Sequence, residues 1–126
     1  MIALDTSAVI AYLSGSARGA GVEATEVALA ERQACLPPVV LTELLSDPAL
    51  PDHVLELFRQ LPLLDVTAGY WDRAGRLRAR LLKGRQRARV ADALIAQSCI
   101  DHDVALITLD AGVRRFAAAS PLRLVP

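Results

Sequence analysis

Short apolar runs alternate with longer helical patterns along this chain, and that alternation constrains the topology more tightly than any single residue does. Residues 2–5, 36–38, 63–66, 104–108 and 122–125 read as strands. Residues 7–13, 22–33, 40–46, 51–61, 68–83, 90–101 and 113–118 read as helices; Ser7 is placed to cap the first, and Asp47-Pro48 breaks the third. Residues 15–21 form a glycine-rich loop. The helical reading is clearest at 51–61, where Val54, Leu55, Phe58 and Leu61 share one face. Strands separated by helices pair in parallel through crossovers. The expectation is therefore a single α/β domain over residues 1–126, with helices on both faces of a central parallel sheet of about five strands, in three α/β/α layers.

Composition agrees with one compact core. A chain of 126 residues buries roughly two thirds of its unfolded surface without disulfides or metal staples. Hydrophobic residues make up 53% and aromatics only 4%, so that core is built from Ala, Leu and Val. Cys35 and Cys99 lie far apart in apolar runs with no Cys-x-x-Cys or Cys/His spacing, which reads as reduced core thiols. Asp5 falls before any apolar leader segment could form, and no stretch reaches the ~18 apolar residues of a membrane span, so a cytoplasmic protein with no membrane partner is expected. The 14 basic and 14 acidic residues cancel, leaving their distribution as the informative quantity.

Four carboxylates stand out against the apolar pattern: Asp5, Glu43, Asp92 and Asp110. Asp5 ends the run Met1-Ile-Ala-Leu, and Glu43 lies inside Val39-Val-Leu-Thr-Glu-Leu-Leu45. Asp92 lies inside Val90-Ala-Asp-Ala-Leu-Ile-Ala96, and Asp110 closes Val104-Ala-Leu-Ile-Thr-Leu109. Burying an unpaired carboxylate is expensive, so several converging ones need a cation or take up protons. In open parallel sheets ligands bind beyond the carboxyl ends of the strands, where both Asp5 and Asp110 are expected. Asp92 falls in the first turn of its helix and Glu43 is expected early in its own, where the dipole favours negative charge. Four such groups on one rim make a hard-oxygen site suited to Mg²⁺ or Mn²⁺. Each residue also has a purely structural reading: a turn aspartate at Asp5, N-caps at Asp92 and Asp110, a solvated helix position at Glu43. Asp92 lacks the Glu or Gln three residues on that would complete a capping box.

The segments carrying these acids resemble a known family. Leu4-Asp5-Thr6-Ser7-Ala8, Leu41-Thr42-Glu43-Leu44, Ala91-Asp92-Ala93-Leu94-Ile95-Ala96 and Leu106-Ile107-Thr108-Leu109-Asp110 look like the four acidic motifs of the PIN domain family, and among its members most resemble VapC-type toxins of bacterial toxin–antitoxin pairs. The fourth motif departs from the pattern, because Gly112 follows where a second acid is common and Phe116 comes late. The resemblance implies a Mg²⁺- or Mn²⁺-dependent endoribonuclease in which Asp5, Asp92 and Asp110 hold metal and Glu43 orients or deprotonates the attacking water or assists a second ion. It also implies an RNA substrate, a cognate antitoxin protein and a homodimer. Thr6, Ser7 and Thr108 are hydroxyls beside the acids that could support them by hydrogen bonding.

An acid cluster repels RNA unless positive charge stands nearby. Arg73, Arg76, Arg78, Arg80, Lys83, Arg85, Arg87 and Arg89 follow one another with no acid between them and lead into Asp92. Of these, Arg80, Lys83, Arg85, Arg87 and Arg89 are the candidate RNA-binding residues; the structural alternative is a solvated helix face. Other functions fit less well. A haloacid-dehalogenase-like phosphotransferase wants an acid at position 7, which is Ser; a receiver domain wants a lysine after a late strand, and Lys83 is the only lysine. A metal-free histidine pair would have to use His53 and His102, both set among aspartates. The remaining alternatives are a non-toxin PIN nuclease and a catalytically silent PIN-like module that binds RNA or a partner.

Overall fold

The computed structural model describes residues 1–15 and 18–126, so Ser16 and Ala17 of the glycine-rich loop lie outside the described residues. The chain runs β1 (Ile2–Leu4), α1 (Thr6–Ser14), α2 (Ala20–Ala30), β2 (Ala34–Cys35), α3 (Pro38–Leu45), α4 (Asp52–Arg59), α5 (Tyr70–Lys83), α6 (Val90–His102), β3 (Ala105–Ile107) and α7 (Ala111–Ala118). The strands form a parallel sheet in the order β2-β1-β3, with Ile2 opposite Ala34 on one side and Ala105 on the other. Successive strand residues point to opposite faces. Ala3 and Leu4, Ala34 and Cys35, and Leu106 and Ile107 are all buried, so helices cover the sheet on both sides. This is the three-layer α/β class expected from the alternation.

The strand expected at 36–38 lies instead at Ala34–Cys35, because Pro37 and Pro38 open a helix, and the other expected strands are present in reduced form. Three make ladders among the described residues; the segments at 63 and 124 pair through single parallel bridges, Leu63 with Leu36 and Leu124 with Leu106. Each outer segment exchanges two backbone hydrogen bonds of 2.9 Å with the sheet edge, Leu36 with Pro62 and Leu64 on one side and Leu106 with Arg123 and Val125 on the other. Proline explains the brevity on the first edge. Pro37 and Pro38 follow Leu36 directly and carry no N–H, so the ladder stops there and the helix begins.

The same prolines correct a helix boundary. Pro37 is the N-cap of α3 and Pro38 its first residue, a position where proline's fixed φ suits the helix and its missing N–H costs nothing. α3 thus starts at Pro38, not at 40, and Glu43 falls in its last turns instead of early. The cap of α1 is also Asp5 and not Ser7. Cys35 and Cys99 are free and buried, as expected. Among the described residues no helix is long and apolar enough to cross a membrane.

Candidate active site

Strand adjacency builds the first half of the site. β1 and β3 are neighbours, so Asp5, one residue past β1, meets Thr108, one residue past β3. Asp5 is 1% exposed and nevertheless well supplied with donors. Its Oδ1 accepts from Ser7 Oγ at 2.7 Å and, as the N-cap of α1, from the Ala8 amide at 2.9 Å; its Oδ2 accepts from the buried Thr108 hydroxyl. The two hydroxyls also receive the chain on its way to Asp110: Leu109 N donates to Ser7 Oγ at 2.9 Å and Asp110 N to Thr108 Oγ1 at 3.1 Å. Asp110 caps α7, its Oδ1 accepting from Gly112 N at 2.7 Å. Asp5 and Asp110 thus each cap a helix with one carboxylate oxygen, as the structural reading of Asp110 expected and that of Asp5, a turn aspartate, did not.

The helices add the other two acids. Thr6 donates to Glu43 Oε1 at 2.6 Å, which ties α3 to α1. This hydroxyl holds the Glu43 carboxylate in place of the helix-dipole support that its position near the end of α3 denies it. Asp92 is buried in the first turn of α6. Together Asp5, Thr6, Ser7, Glu43, Arg89, Ala91, Asp92, Ile95, Asp110 and Val113 line one cleft of 160 Å³. All four sequence-identified acids and two of the three hydroxyls face it; Thr108 supports it from behind.

Burial pushes the Asp5 carboxyl above the usual carboxylate range, against the pull of Thr108, Ser7 and the Ala8 amide, and the charge of Asp110 pushes the same way. Burial likewise raises Asp92; Arg89 opposes, while Asp110 and Glu43 add to the rise. Buried acids that repel one another are the donor chemistry a hard divalent cation satisfies, so the residue set fits such an ion. As the side chains lie, no three of them stand close enough to share one ion, among the described residues. Hydroxyls engage both oxygens of Asp5, and Arg89 spans Asp92 and Asp110.

Arg89, expected among the RNA-binding residues, lies at the acids themselves. Here its Nε donates to Asp92 Oδ2 at 3.2 Å and its Nη2 to Asp110 Oδ2 at 2.7 Å. The Arg-x-x-Asp spacing of Arg89 and Asp92 was a signal for it, since residues three apart on a helix are neighbours. At Gly112 a Cβ would lie 2.9 Å from Asp92 Oδ2 and 3.1 Å from Asp110 Oδ1, so a side chain there would push these carboxylates from their present places.

The basic run divides as well. Arg73 pairs with Asp101 through two bonds of 3.0 and 2.7 Å, and Arg78 donates to the Ala88 carbonyl at 2.7 Å, so these arginines serve the α5–α6 packing. Arg76, Arg80, Lys83, Arg85 and Arg87 are exposed and make no side-chain hydrogen bond or ion pair among the described residues. His102 contacts the Asp65 carbonyl at 2.8 Å at the far end of α6, ten residues from Asp92, which puts it roughly 15 Å along the helix from the acids.

Comparison with known proteins places the chain among relatives. The PIN domain family model matches residues 2–119. Among solved structures, a chain of VapBC2 from Rickettsia felis bound to a DNA fragment from its promoter superposes with a TM-score of 0.74 at 20% identity, over 99% of this chain and 98% of that one. A chain of VapBC-5 from Mycobacterium tuberculosis, a member of the VapBC family of toxin–antitoxin systems, gives 0.70 at 23% identity over 98% and 96%. A chain of FitAcB from Neisseria gonorrhoeae gives 0.71 at 21% identity over 100% and 97%. Comparison with curated proteins finds no match.

Proposed function

The chain belongs to the PIN domain family, and from that premise we propose that it is a Mg²⁺- or Mn²⁺-dependent endoribonuclease acting as the toxin of a toxin–antitoxin pair. The observation that carries the reading is the convergence of Asp5, Glu43, Asp92 and Asp110 on one cleft. A divalent cation held there supplies a water of lowered pKa and offsets charge on the phosphorane-like transition state. Asp5, Asp92 and Asp110 are the residues that would hold it. Asp5 is held in place by three donors. Glu43 has one oxygen engaged by Thr6, which leaves the other to orient or deprotonate the attacking water. Arg85 and Arg87 stand exposed in the segment leading to α6 and are suited to the RNA backbone; Arg80 and Lys83 extend that charge along α5.

The test is cleavage of a structured RNA by the purified chain. Activity is expected to vanish in EDTA and return with Mg²⁺ or Mn²⁺; undiminished cleavage in EDTA would refute the metal mechanism. The toxin reading adds that the chain alone arrests growth, whereas co-expression with its antitoxin is harmless and yields a complex. Ile10, Leu45 and Leu109 are exposed on the elements that carry Thr6, Glu43 and Asp110, which offers apolar surface beside the acids for such a partner. Full tolerance together with metal-dependent cleavage would favour a non-toxin nuclease, and absence of cleavage under all metals a binding module. The homodimer is part of the same proposal. Exposed Trp71 and Val90 on α5 and α6 supply apolar area for it, and light scattering on the purified chain decides it.

A further inference from the structure

Arg89 lines two adjoining cavities, one dominated by carboxylates and the other by arginines. One is the acid cleft; the other is an adjoining groove of 330 Å³ that shares Arg89, Asp92 and Asp110 and is otherwise lined by Arg87, Ala111, Gly112 and Arg115. Gly112 leaves room for this arrangement, since a Cβ there would press on the Asp92 and Asp110 carboxylates. Arg89 is the extended residue just before α6, and its side chain is 68% exposed although both partners are carboxylates. Little packing holds it there. Its hold is electrostatic, from Asp92 first and Asp110 second. Arg87 and Arg115 in the groove have no hydrogen-bond or ion-pair partner among the described residues.

We propose that Arg89 is an RNA-phosphate-binding residue with two stations: across Asp92 and Asp110 without a divalent cation, and in the Arg87–Arg115 groove once it yields those carboxylates to one. The proposal rests on the metal-dependent RNA-cleaving reading above. Arg89 and a cation compete for the same oxygens, Asp92 Oδ2 and Asp110 Oδ2. Arg89 already shares the groove wall with Arg87 and Arg115, and on leaving the carboxylates it loses their compensating charge there, which is unfavourable unless an anion enters. A phosphate between the three arginines removes that penalty, and the planar guanidinium suits it. Cation binding and RNA binding are therefore positively coupled through Arg89, and the coupling is reciprocal.

The experiment titrates Mn²⁺ into the EDTA-stripped full chain by calorimetry. Binding of a nuclease-resistant 2′-O-methyl phosphorothioate RNA is then measured by anisotropy with and without Mn²⁺, for the parent, Arg89→Gln and Arg89→Lys. Arg89→Gln is expected to tighten Mn²⁺ binding in the absence of RNA by about three- to tenfold, and to reduce by at least about threefold the gain in RNA affinity that Mn²⁺ confers on the parent. Arg89→Lys, with charge but no fork to span two carboxylates, falls between, and is read on the same scale should Arg89→Gln not fold. Unchanged or weaker Mn²⁺ binding by the variants, or an unchanged gain in RNA affinity, overturns the two-station role while leaving the nuclease reading in place. No Mn²⁺ binding by any of the three overturns both.

Discussion

Thr108→Val tests whether the seam between β1 and β3 sustains the buried carboxylate. The substitution keeps the branched Cβ and removes the hydroxyl that donates to Asp5 Oδ2 and accepts from Asp110 N. Thr108 is 2% exposed and Asp5 1%, so water does not readily replace the missing donor. A hydrogen bond to a charged group contributes about 1.5–3 kcal/mol. Burying a methyl in place of a hydroxyl returns about 0.8 kcal/mol. The Asp110 amide lies in a half-buried residue that can turn to solvent, so it adds little. The net cost is about 1–2 kcal/mol at neutral pH. With an unfolding entropy of roughly 2.1 cal/mol/K per residue, that lowers Tm by about 4–8 °C. The pH dependence has a definite sign. Burial already raises the Asp5 carboxyl, and removing a donor raises it further. The penalty is therefore full where Asp5 is ionised and fades as pH falls through its raised pKa. Urea unfolding in EDTA at neutral and mildly acidic pH measures both quantities, with Thr108→Ser, which retains the hydroxyl, as control. Parental stability of Thr108→Val at neutral pH would refute the reasoning.

Asp5→Asn and Asp92→Asn should each lower RNA turnover by orders of magnitude, and Asp92→Asn should leave Tm in EDTA unchanged or raised, because burial already disfavours its charged form; parental turnover in both would remove them from the site. Replacing Arg85 and Arg87 by Gln should flatten the log–log salt dependence of single-stranded RNA binding by about 0.7 for each phosphate no longer neutralised, and an unchanged slope would make them solvated scaffold. Arg73 foremost holds Asp101 below the usual carboxylate range, so this pair contributes stability present above the unfolded value of 3.8 and lost as pH falls through the lowered one. Arg73→Gln should thus destabilise at neutral pH, with a deficit that shrinks in strong acid to what the lost bonds to the Ala68 carbonyl and Thr67 leave; urea midpoints that differ by the same amount at every pH would contradict this.

What could be read before folding was whatever depends on neighbours within a few turns. The β/α alternation determined a parallel α/β sheet, since strands separated by helices have no other way to pair. Acids that interrupt apolar runs marked the lining of one cleft, since a buried carboxylate is costly without a partner. Pro37-Pro38 was also legible, and reading it as a helix start would have placed Glu43 correctly. Other features had no local signature. Thr108 supports Asp5 across 103 residues only because β1 and β3 lie side by side, and Arg89 reaches Asp110 across 21 only because α6 and α7 open on the same rim. An arginine in a basic run looks the same whether it faces solvent, as Arg87 does, or closes over two acids, as Arg89 does. Periodicity records which face of an element is buried; it carries no record of what stands opposite that face, and only tertiary packing decides which charges meet.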